Sequence, residues 1–140
     1  MPVFFPFRAL RPIKENVTKF SAKTSDFKNQ EEVLADMKEN TESYYHVTKQ
    51  SLLSSVKKPI EHFFTIGAEF VKQKTETGDL VREKVPCFYV YRQIDHVTGR
   101  TYTGIIGLVD VFYLENNSIK KHELTKVFRE EYLYKQLHFT

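Results

Sequence analysis

Only one of the 140 residues is a cysteine, Cys87. An internal disulfide is therefore excluded, and because Met1 to Phe7 is too short for a secretory leader and is broken by Pro6, the expected compartment is a reducing cytoplasm. Long apolar runs are also missing. The longest, Phe88 to Tyr91 and Ile105 to Val109, fall far short of the roughly 20 residues that cross a bilayer as a helix, so a soluble protein is expected. Charge of one sign is scarce too: the net charge is +3 with 28% charged residues. This mildly basic balance lacks the clustered basic face of a duplex binder, and nucleic acid is not indicated as a partner. There is no internal repeat, no low-complexity tract and no phosphate-cradling glycine loop of the Walker or Rossmann type. A zinc site is not expected either. The five histidines, His46, His62, His96, His122 and His138, are scattered, and His122-Glu123 begins the zinc-protease motif only to meet Lys126 where the second histidine should stand.

What remains is material for one domain with a single core: 140 residues of which 41% are hydrophobic. The first stretch, Val3 to Pro12, is aromatic and interrupted by Pro6 and Pro12, which suits a short strand or extended arm better than a helix. Asn29 ahead of Glu31 and Glu32 is a helix start, with an N-cap and carboxylates at the positive dipole end. Val33, Leu34 and Met37 give that helix a narrow apolar stripe ending near Asn40. The β-branched and aromatic run Tyr44, Tyr45, Val47, Thr48 favours a strand containing His46. Lys49 to Lys58 reads as a polar loop that can contain a helical turn.

The clearest helix follows. Pro59 suits a helix start, and Ile60, Phe63, Phe64, Gly67, Phe70 and Val71 recur at three- and four-residue spacing until the polar run to Gly78. From Leu80 the pattern turns strand-like, with Cys87 to Ile94 and Thr101 to Val111 forming a hairpin around Gly99. Gly104 and Gly107 in its second strand permit a bulge or the close approach of another backbone or a ligand. Tyr113 to Ser118 reads as a loop. Thr125 can cap a last helix whose imperfect stripe is Leu124, Val127, Phe128, Tyr132, Leu133 and Leu137. The expected class is α+β: a mainly antiparallel sheet with a central hairpin and about three helices.

Chemistry concentrates in Ile119 to Arg129, where Lys120, Lys121 and Arg129 can hold anions, His122 can exchange protons near neutral pH and Glu123 can act as base or orienting acceptor. Taken alone, the same residues are a charged loop before a helix. Arg8 and Arg11 can likewise be surface charge that keeps an edge strand from pairing. His62 and His96 read as solvated. His46 can be either a hydrogen-bonded core histidine or a site residue.

The string Ile119-Lys-Lys-His-Glu-Leu-Thr125, preceded by Pro86-Cys-Phe-Tyr-Val-Tyr-Arg92, Thr103-Gly-Ile-Ile-Gly107 and Glu115-Asn116, resembles the domain of unknown function family 1015. Pro6-Phe-Arg-Ala-Leu-Arg-Pro12 and His46-Val-Thr48 carry the resemblance toward the other end of the chain. The family looks related to the ParB and sulfiredoxin-like fold, a superfamily that includes kinases of free serine. The resemblance thus implies ATP or ADP with magnesium as cofactors and phosphoryl transfer to a small hydroxyl substrate, serine first. It departs from the family at Thr41, where proline is usual, at Lys126, where arginine is common, and at Ser25-Asp26, where a Tyr-Asp pair is typical. Family members are longer and carry an Asp-Gly-His-His-Arg motif that this chain lacks, so residues 1–140 are expected to be one domain, the N-terminal part of a longer protein.

On that resemblance, Lys120, Lys121, Arg8 and Arg11 would bind the nucleotide while His122 and Glu123 would act as the catalytic base or metal-orienting pair. Two other classes fit the same sequence: a non-catalytic module that binds a protein partner or a second copy through its hairpin, and ParB-like nucleotide or nucleic-acid binding without transfer.

Overall fold

The structure, a computed structural model, describes residues 3–22, 29–120 and 127–139. Their helices and strands, in chain order, are β1 (Phe4–Phe5), β2 (Leu10–Pro12), α1 (Val17–Phe20), α2 (Gln30–Glu39), α3 (Tyr45–Thr48), α4 (Ile60–Glu76), β3 (Leu80–Arg82), β4 (Tyr89–Ile94), β5 (Thr101–Ile106), β6 (Leu108–Val109), α5 (Phe112–Glu115) and α6 (Val127–Phe139), with 3-10 turns at Lys14–Asn16 and Gln50–Leu53. This is an α+β protein. The described strands pair two by two, β1 with β6, β2 with β3 and β4 with β5. Two compact units divide the chain: Met1–Leu10 with Arg82–Leu124, and Arg11–Val81 with Thr125–Thr140.

The helical unit holds the core. Its α2 starts where the Asn29 side chain accepts a hydrogen bond from Glu32 N at 2.8 Å, a cap worth about 1 kcal/mol, and it buries Val33 and Met37 while its polar face stays wet. The helix α4 begins directly after Pro59, buries Phe63, Phe64 and Gly67, and closes at Gly78, whose φ of 81° is left-handed. Full burial of a side chain such as Phe64 contributes about 1.5–3 kcal/mol relative to exposure. Tyr132 of α6 packs edge-on against Phe64 with ring centroids 5.0 Å apart. Val127, Phe128, Leu133 and Leu137 of the expected α6 stripe are exposed, Leu137 to 77%.

One segment differs from its propensity. Tyr45 to Thr48 forms a helical turn, not a strand. The polar residues ahead of it supply local stops: Asn40 Oδ1 accepts from Glu42 N at 3.1 Å and Ser43 Oγ from Tyr45 N at 3.3 Å. A helical turn then buries both Tyr45 and Val47, and burial outweighs the modest β preference of these residues. Tyr113 to Ser118 is corrected in the same way. Asp110 Oδ1 accepts from Phe112 N at 2.9 Å, which starts the short helix α5 at Phe112, and the helix runs into the expected loop as far as Glu115.

The strand unit is built on the hairpin β4–β5, antiparallel with Tyr89 opposite Ile106 and Ile94 opposite Thr101. Asp95 organises its turn by accepting from Val97 N at 2.9 Å and from the Thr98 hydroxyl at 2.5 Å, and Gly99 takes a φ of 70°. The expected long second strand ends at Ile106, and Leu108–Val109 pairs antiparallel with Phe4–Phe5. Gly107 lies at this break. Phe4 stacks on Phe88 at 5.5 Å, and Phe7 and Cys87 exchange backbone hydrogen bonds of 3.0 and 2.9 Å. Among the described residues, every fully buried hydrophobic side chain belongs to the helical unit.

Candidate functional site

Of the residues expected to form the site, Lys121, His122 and Glu123 lie outside the described residues, as do Leu124, Thr125, Lys126 and Ser25-Asp26. Lys120 is exposed and immediately follows Ile119, whose N–H donates to the Tyr113 carbonyl at 2.8 Å. That bond fixes the chain after α5 and sets where the basic stretch begins. Arg8 belongs to the same unit, between β1 and β2. Its Nε donates to the Glu83 carbonyl at 2.7 Å, which braces the guanidinium of an exposed side chain. A braced, exposed arginine is suited to a phosphate or carboxylate. Arg11 is exposed in the other unit, its Nη1 3.3 Å from the Pro12 carbonyl.

The two roles left open for His46 are now distinguishable. Its Nε2 lies 3.1 Å from the Met37 carbonyl and 3.2 Å from the Asn40 carbonyl; because both neighbours are acceptors, Nε2 carries the proton. The ring stacks on Phe70 with centroids 5.7 Å apart. This histidine ties the end of α2 to α3 and packs on α4, a structural duty. His62 and His96 are exposed as expected. Among the described residues, no group of three or more His, Cys, Asp and Glu side chains is placed to hold a metal ion, and no helix is long and apolar enough to cross a membrane.

The hairpin glycines separate in use. A Cβ on Gly107 would lie 2.8 Å from the Phe4 ring and 3.0 Å from the Phe5 carbonyl oxygen, so this position does serve a close approach, whereas nothing lies within 4 Å of one on Gly104. Tyr89 turns its hydroxyl to the β1–β2 connection, donating to the Phe7 carbonyl at 3.1 Å and accepting from Ala9 N at 2.8 Å. Its neighbours Val90 and Tyr91 are exposed.

A concave surface that linear spacing does not reveal lies in the helical unit. A pocket of about 390 Å³ is lined by Gln30 and Val33 of α2, Thr48, Lys49, Ser51 and Leu52 after α3, Ile60 at the start of α4, and Tyr132 of α6. Its residues come from four separate stretches, and Lys49 to Leu52 reads in sequence as part of a polar loop that can contain a helical turn, with no sign of a pocket. Burial pushes the Tyr132 phenol up from its ordinary pKa, so the hydroxyl stays protonated and points to the Thr48 carbonyl at 3.4 Å.

Comparison with known proteins adds one assignment. No curated protein and no solved structure matches the chain. The sequence profile of one family matches residues 4–140, nearly the whole length. The chain therefore belongs to the family described as protein of unknown function (DUF1015).

Proposed function

We propose that the chain is the N-terminal part of a nucleotide-dependent kinase that phosphorylates a small hydroxyl compound, serine in the first instance. The chain's membership in the family described as protein of unknown function supports this reading, through the resemblance of that family to the ParB and sulfiredoxin-like fold and its free-serine kinases. In it, a serine hydroxyl oxygen forms the new P–O bond to the terminal phosphoryl group of ATP or ADP, the bridging P–O bond breaks toward the shortened nucleotide, and the hydroxyl proton passes to His122 or Glu123. Lys120 and Lys121 meet phosphate oxygens, and Arg8, of the same compact unit, closes the site. Magnesium supplies charge neutralisation for the transferring group. Among the described residues, Arg8 and Lys120 have the charge and exposure to meet nucleotide phosphates. Incubation of a longer family member, which carries the Asp-Gly-His-His-Arg motif, with ATP, magnesium and serine should yield phosphoserine. An alanine series at Lys120, His122 and Glu123 in a longer family member should abolish turnover; unchanged nucleotide binding and turnover would sink the assignment.

The exposed hairpin favours a second reading, a module that binds a protein partner or a second copy of itself. Val90 is 71% and Ile105 64% exposed, and a two-stranded ribbon with bare apolar faces is poorly stable until covered. Concentration-dependent association detected by sedimentation, lost in Val90→Lys and Ile105→Lys, supports it; a monomer at all concentrations counts against self-association. Stabilisation by nucleotide with no product would instead indicate ParB-like binding without transfer.

A further inference from the structure

We propose that the pocket between α2, α3, α4 and α6 binds a small organic monoanion, a carboxylate on a compact aliphatic body. Its volume of about 390 Å³ lies in the range of small-molecule sites. The lining divides by chemistry: Val33, Leu52 and Ile60 offer aliphatic wall, while Gln30, Lys49, Ser51 and Tyr132 offer donors. Lys49 is the one charged residue in that lining, and no described carboxylate lies within ion-pair distance of it. A cation without a partner, beside an apolar wall, fits one negative charge; the two charges of a phosphate monoester would call for a second cation.

The remaining donors are also available. The side chains of Gln30 and Ser51 hydrogen-bond no described residue, and the Tyr132 hydroxyl holds the Thr48 carbonyl only at 3.4 Å, a weak bond that an anion can replace. The first residues of α2 and of α4, Gln30 and Ile60, both stand in the lining, and the positive ends of two helices add to the potential that Lys49 sets. All of these residues lie in one compact unit, so the site stands independently of the phosphotransfer reading.

The test is a residue-resolved amide-shift titration of the whole chain with isovalerate, with isoamyl alcohol as its uncharged counterpart and inorganic phosphate as an anion without an aliphatic body. Saturable shifts at Gln30, Lys49 to Leu52 and Ile60 are expected with isovalerate alone. Lys49→Met should weaken that binding roughly tenfold or more, and Leu52→Trp, which fills the pocket and keeps the charge, should abolish it while the spectrum remains dispersed. Equal response to the alcohol, saturation by phosphate in place of isovalerate, or shifts that map away from these residues in the unmodified chain would overturn the assignment.

Discussion

Gly67 of α4 lies so close to Val47 of α3 that a Cβ there would fall 2.7 Å from the Val47 carbonyl oxygen. Backbone meets backbone at this crossing, and no side-chain rotation can relieve the clash. On an exposed helix, alanine would gain about 1 kcal/mol over glycine. Here the gain is overtaken by overpacking, which costs about 1–3 kcal/mol. Gly67→Ala is therefore expected to lower stability in urea denaturation; a more stable variant would show that α3 is free to move away.

The two hairpin glycines should respond in opposite directions. Gly107→Ala drives a methyl into the Phe4 ring and toward the Phe5 carbonyl, loosening β1 from β6, with a loss of about 1–3 kcal/mol. Gly104→Ala meets open space on an extended strand, and removing a glycine from a strand interior is expected to gain about 0.5–1 kcal/mol. Paired thermal melts check the sign of each.

Tyr89 joins hairpin to N-terminal segment through one oxygen that both donates to Phe7 and accepts from Ala9. Tyr89→Phe keeps the ring contact with Phe7, whose centroid lies 5.0 Å away, and deletes only that bridge. A loss of about 1–3 kcal/mol is expected, because the Ala9 N–H loses this acceptor, while the Phe7 carbonyl keeps its bond from Cys87 N. The specific readout is faster hydrogen exchange at the Ala9 amide; an unchanged rate would mean that the bridge does not hold the segment.

Stability should fall at both ends of the pH scale. The Thr77 hydroxyl first, with help from Lys74 and Asn16, holds the Asp79 carboxyl below the usual carboxylate range, and Thr98 does the same for Asp95. A depressed folded pKa gives stabilisation that is present above the unfolded value of about 3.9 and is lost as pH falls through the folded one. Tyr132 has the opposite sign: burial raises its pKa, so its contribution is intact below about pH 10 and disappears as pH rises through the folded value. Asp79→Asn should flatten the acid limb and Tyr132→Phe the alkaline limb of a stability-versus-pH curve.

Local chemistry wrote much of the scaffold into the sequence. The Asn29 cap with Glu31 and Glu32 placed the start of α2, Pro59 and Gly78 bracketed α4, and Gly99 marked the hairpin turn, because capping, proline geometry and positive φ act within a few residues. The α+β class follows from those same periodicities, and the ordered motifs ending in Ile119 to Thr125 carried the family. Tertiary structure alone decided what depends on distant partners. Tyr45 to Thr48 became helical because burial of Tyr45 and Val47 outweighs strand propensity. His46 became a packing residue because the Met37 and Asn40 carbonyls and the Phe70 ring surround it. Lys49 became the cation of a pocket because four separated stretches converge around it, and no spacing along the chain encodes a convergence that only packing brings about.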